Sequence, residues 1–118
     1  MNGRLAIRKL SRSFNVAAPG SNINILATSL TPYDKASTIR VTVSLTTGSV
    51  FNAILTQGAT SFTCKLNKGA ALTAAVLYTF TFAGGDDTTI NFQVETNSII
   101  NVLFVDEISG GVALTNMF

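Results

Sequence analysis

Few residues of this chain could carry covalent chemistry. Histidine is absent, so the usual neutral-pH proton carrier, the Ser-His-Asp and Cys-His arrangements and the His-containing zinc sites are all excluded. Cysteine occurs once, at Cys64, in the alternating run Phe62-Thr63-Cys64-Lys65-Leu66, where it reads as a small core residue. A lone cysteine closes no intrachain disulfide. The acids are Asp34, Asp86, Asp87, Glu95, Asp106 and Glu107, and five of these six sit beside turns or strand ends, where carboxylates are simply solvated. A paired-carboxylate glycosidase needs two acids opposed across a cleft. No catalytic residue and no cofactor is expected, and the chain reads as a non-enzyme.

Three groups could bind rather than react. Gly84-Gly85-Asp86-Asp87 offers carboxylate and carbonyl oxygens, so Asp86 and Asp87 are a candidate calcium site. The EF-hand spacing is missing, and Asp and Gly are also what a turn requires for backbone reasons. Tyr33 and Tyr78 could serve as a thin platform for sugar stacking in a small carbohydrate-binding module, with calcium assisting. Arg4, Arg8, Lys9 and Arg12 crowd the first residues, and helical spacing would set Arg4, Arg8 and Arg12 on one stripe. These four are assigned to a partner-binding arm, with a solvated terminal strand and a nucleic-acid contact as alternatives. Nucleic acid is not expected, since only Phe14 could stack on a base there.

The chain has 118 residues, 47% hydrophobic and 12% charged. Charge is about half the usual share, which suits a surface covered by copies of itself or by a partner, or a Thr/Ser/Asn coat. All eight bases lie within residues 1–68 and five of the six acids within 69–118. If those halves segregate in space they form opposite poles that favour contact between subunits. No signal peptide and no membrane-spanning run is legible, so no membrane role is expected.

Period-2 alternation is the dominant pattern. Ile39, Val41, Val43 and Leu45 alternate with Thr and Ser over residues 38–46, a strand with one wet face. Residues 22–28 predict a first strand, 50–55 a partner hairpinned to 38–46, and 61–66 another strand, with Gly-containing turns between. Tyr33 is expected at the edge of the core, and the Ala-rich stretch 70–77 reads as a loop. Tyr78, Phe80 and Phe82 are expected to pair in a hairpin with Ile90, Phe92 and Val94 across the Gly-Asp turn. Residues 99–105 are apolar on both alternating sets except Asn101, which suits a central strand or an interface. Val112, Leu114, Met117 and Phe118 finish the chain as a last strand that packs on this domain or on a neighbour.

About eight strands and no helix predict an all-β fold. It is expected to be an antiparallel β-sandwich, jelly-roll-like, with a closed barrel as the alternative. Residues 1–20 form the basic arm and residues 21–118 the sandwich. The expected core is Ile39, Val41, Val43, Phe62, Tyr78, Phe80, Phe82, Ile90, Phe92, Val94, Val102 and Phe104.

The run from Leu72 to Phe80, then Gly85-Asp86, then Asn91-Phe92-Gln93, resembles small β-rich structural proteins of tailed bacteriophages. It departs from them at Ala75, where such patterns more often carry Gly, and in the doubled Gly84-Gly85. The resemblance implies a virion component made in the host cytoplasm: a capsid decoration or cement protein, or a head-tail accessory subunit. It would contact copies of itself, as a trimer by preference, and a major capsid or other virion protein.

Overall fold

The structure is a computed structural model that describes residues 6–33, 37–84 and 87–109. Seven strands lie among them: β1 (Ala6–Ala17), β2 (Ser37–Leu45), β3 (Phe51–Gln57), β4 (Thr60–Lys65), β5 (Tyr78–Gly84), β6 (Thr88–Val94) and β7 (Ile99–Ser109). They form two antiparallel sheets, β1-β7-β2-β5 and β4-β3-β6, in a sandwich-like arrangement. The expected final strand, with Val112, Leu114, Met117 and Phe118, lies outside the described residues.

The pairing is nested. β1 pairs with β7, β2 with β5 and β3 with β4. Residues 22–30 hydrogen-bond along β6: the Asn22, Ile25 and Leu30 amides donate to the Val94, Phe92 and Ile90 carbonyls at 2.7, 2.8 and 2.8 Å. The chain is thus one long double-stranded ribbon, folded over on itself. Its tip is the two-residue turn Gly58-Ala59 between Gln57 and Thr60, where Gly58 takes φ +60° at no steric cost.

This nesting corrects both expected hairpins. β5 and β6 belong to different sheets, and so do β2 and β3. An apolar row satisfies the same alternation whether its partner row lies beside it or across the core. Tyr78, Phe80 and Phe82 therefore do not hydrogen-bond to Ile90, Phe92 and Val94 across a shared ladder. Residues 22–28 are not a regular strand but a strap, held by side-chain amides of β6. Asn91 Nδ2 donates to the Leu26 carbonyl (2.9 Å) and to Ser29 Oγ (3.1 Å), while its Oδ1 accepts from the Leu26 amide (3.0 Å). Gln93 Nε2 donates to Asn24 Oδ1 at 2.8 Å.

The core lies between the sheets. Ile39, Val41, Val43, Leu45, Phe51, Ala53, Ile90, Phe92, Val94, Ile100, Leu103 and Val105 are fully buried, and Phe51 stacks on Phe92 at 5.4 Å. Each larger side chain contributes about 1.5–3 kcal/mol by its burial. Tyr78, Phe80, Phe82 and Cys64 are half-buried against this cluster. Phe62, expected inside, is 57% exposed, because β4 is the outermost strand of its sheet. Val102 and Phe104 are half-buried, and lie on the outer face. The reason is a bulge: Ser44 faces Val102 and Leu45 faces Ile100, leaving Asn101 as the extra residue of β7. The bulge turns Ile100 to the side of Leu103 and Val105, which strict alternation denies it.

Candidate functional site

The basic segment expected as an arm is, over residues 6–17, a twelve-residue edge strand of the sandwich. Its register on β7 skips Leu10, a bulge, so that Ile7, Lys9, Arg12 and Phe14 oppose Ile108, Asp106, Phe104 and Val102 on the outer face. Arg8 opposes Glu107 instead, on the inner side. The stripe expected from helical spacing is therefore absent: Arg8 and Arg12 point to opposite faces. Arg4 lies outside the described residues.

Across the outer face, β2 extends the same rows. Arg40 lies beside Asp106, and Thr42 beside Phe104. Asp106 is 4% exposed and sits in a clamp. Arg12 Nη2 donates to its Oδ1 at 2.6 Å and Arg40 Nη2 to its Oδ2 at 3.1 Å. Burial alone would push the Asp106 pKa up, but the hydrogen bonds and positive charge of the two guanidiniums outweigh it and hold the carboxyl below its ordinary value. The Arg12 guanidinium also lies over the Phe104 ring, 4.8 Å from its centroid, and Phe14 meets Phe104 edge-on at 5.1 Å. Phe14 is nevertheless 62% exposed and Ile7 56%. The result is a pair of arginines, Arg12 and Arg40, held in fixed positions, with an apolar patch of Phe14, Phe104 and Val102 on one side and Ile7 with Ile108 on the other.

At the same end of β1, the Arg8 guanidinium lies 4.9 Å from the centroid of the Tyr33 ring. The Tyr33 amide donates to Oε1 of the fully buried Glu107 at 2.9 Å. Tyr33, expected at the core edge, is 68% exposed. Asp87 is exposed with φ +54°, a left-handed turn position that Asp tolerates; Asp86 lies outside the described residues. Among the described residues no group of three metal-ligating side chains converges.

The two charge halves of the sequence do not form separate poles here. Each of the ion pairs Arg12–Asp106, Arg40–Asp106 and Lys65–Glu95 joins a base of the first half to an acid of the second within one subunit. Arg40 and Asp106 are the members of the site that sequence reading missed. Their signal was an acid set two residues after Phe104, in phase with it, on a strand that continues to Ser109. Comparison of the chain with protein-family models, with curated proteins and with solved structures finds no match.

Proposed function

We propose that this chain is a non-enzymatic structural subunit of a phage particle, a capsid decoration, cement or accessory protein that stabilises the particle through subunit contacts. It resides in the virion, after synthesis in the host cytoplasm. The observation that carries the reading is the outer face of the β1-β7-β2-β5 sheet. Ile7 and Phe14 stay more than half exposed there, around the arginine pair that Asp106 fixes in place. Exposed apolar groups of this kind, rimmed by charge, mark protein contact surfaces. A preset arginine clamp loses little side-chain freedom on docking, so it suits a permanent contact.

The finer fold reading belongs to the same proposal. That reading is a jelly roll, an architecture that capsid proteins use; the nested pairing supports it if the strap 22–30 is counted in the place of an eighth strand. That is an analogy of fold, and the exposed face is the stronger support. Sugar binding draws less from the structure. Arg8 occupies one face of Tyr33, and the Tyr78 hydroxyl is engaged by the Thr73 amide at 2.8 Å.

The partner on the outer face would be the main shell protein. Particles banded from a producing culture should contain the chain at a fixed ratio to that protein, read by quantitative mass spectrometry. A Phe14→Asp variant, altered at an exposed site, should be depleted from them at least tenfold. Particles that lack the chain would end this reading.

A further inference from the structure

The two flanks of the sandwich are finished differently. The short links 46–50 and 95–98 stack β3 on β2 and β6 on β7, so β4 and β5 are the outer strands of the two sheets on the same side. On the opposite side the chain seals itself: the strap hydrogen-bonds along the outer edge of β6. On the β4/β5 side, among the described residues, no backbone bond reaches the outer edge of β5. The aromatic side chains there are only half-covered. Tyr78 and Phe80 stack on each other at 5.8 Å and, with Phe82, remain partly exposed; Val76 and Leu77, just before them in the chain, are 43% and 61% exposed, and Phe62 on β4 is 57% exposed.

Edge strands are normally protected by charge, proline or a bulge. β1, the other edge of the same sheet, has two of these: Arg8, Lys9 and Arg12, a bulge at Leu10, and in addition a left-handed residue at Asn15. β5 has none. It reads Tyr-Thr-Phe-Thr-Phe-Ala-Gly, uncharged and without proline, and pairs with β2 in unbroken register. Nothing in its sequence resists pairing.

We infer that β5 is the self-pairing edge of this protein, joining a second copy antiparallel about a two-fold axis at Thr81 so that the four-stranded sheet becomes eight-stranded. The strand is self-complementary in that register. Phe80 meets Phe82 of the second copy and the reverse, on the inner face, where both are half-covered in one subunit. Thr81 meets its own copy on the outer face, and Thr79 meets Ala83. Full overlap of all seven residues brings no charge against a like charge. A second copy is therefore the occupant that the edge fits, whereas the β1 edge carries Arg8, Lys9 and Arg12 and is broken by the bulge at Leu10. A two-fold gives dimers or even-numbered assemblies, not the trimer suggested by the sequence.

The inference deepens the assembly reading and rests on it in one respect, that copies meet in the particle. The test is solution mass by light scattering combined with cross-linking. The wild-type chain should be a dimer or an even multiple, and Thr81→Lys, which sets two cations face to face on the axis, should be monomeric at the same concentration with an unchanged circular dichroism spectrum. In a Cys64→Ser background, Thr81→Cys should form a covalent dimer on mild oxidation, since residues opposed across an antiparallel pair lie about 4.5–5.5 Å apart at Cα, within disulfide reach. Thr79→Cys in that background should not, because its copy lies about 14 Å away along the strands. A wild-type monomer or trimer overturns the β5 pairing, and so does an oligomer that survives Thr81→Lys and does not cross-link. A wild-type monomer that still bands with particles overturns only this inference. An even oligomer absent from particles overturns only the assembly reading.

Discussion

Ala75 adopts φ +61°, a left-handed conformation that costs a residue with a Cβ about 1–2 kcal/mol. It is held there because its amide donates to the Leu45 carbonyl at 2.7 Å, which closes the loop between β4 and β5. Ala75→Gly should therefore stabilise the fold by about 0.5–1 kcal/mol, after the extra freedom of glycine in the unfolded chain is subtracted. A rise in Tm would show it. Asp106 is the other decisive residue. Its folded pKa lies below the unfolded value, so the clamp contributes fully above about pH 4 and is lost as pH falls through the folded pKa. Asp106→Asn should cost about 1–3 kcal/mol at pH 7, with both guanidiniums part-solvated but left unpaired. Denaturant titrations across pH 2–7 should show the wild-type acid limb flattened in the variant.

Among the elements, the strap depends most on individual side chains. It lacks the regular ladder of a strand, and Asn91 supplies what the backbone does not, accepting from one amide of the strap and donating to a carbonyl and a hydroxyl. Asn91→Ala should destabilise the protein by about 2 kcal/mol. The loss should be local first: hydrogen exchange at the Ile25, Leu26 and Leu30 amides should accelerate, while amides of β2 and β7 keep their protection. Equal acceleration everywhere would show that the strap is not a separately held element. The Asn-Phe-Gln run was noticed in the sequence as a pattern, but its use was hidden. Asn91 and Gln93 lie on the polar row of the strand's alternation, and only the fold reveals that the strap passes over them. Phe92 between them points to the core, as alternation requires.

For the whole molecule, nesting explains the asymmetry of the flanks. A ribbon with its tip at Gly58-Ala59 brings the strap to one side and leaves β4 and β5 as the outer strands of the other. The two proposed contacts then lie apart on the same sheet. The patch around Phe14 belongs to the β1–β7 half, and the pairing edge is β5, beyond β2. A subunit could bind a shell through the first while its copies join through the second, so Phe14→Asp should act on particle content and Thr81→Lys on solution mass. Sites so separated are expected to act independently.

Composition and alternation were enough to determine that the chain is built of antiparallel strands. They also identified the inner rows of β2 and β6, because period-2 burial is a local property that each strand carries in its own side chains. Partner choice was not local. β2 with β3, and β5 with β6, satisfy the same apolar alternation as neighbours or as opposite walls, and only the packed chain selects the walls. The bulges at Leu10 and Asn101 each insert one residue, and each reverses which face the following side chains take. That is why Phe104 left the core and met Arg12, why Arg8 parted from Arg12, and why the Asp106 clamp, whose members are 28 and 66 residues apart along the chain from Arg40 outward to each side, came together only in the tertiary structure.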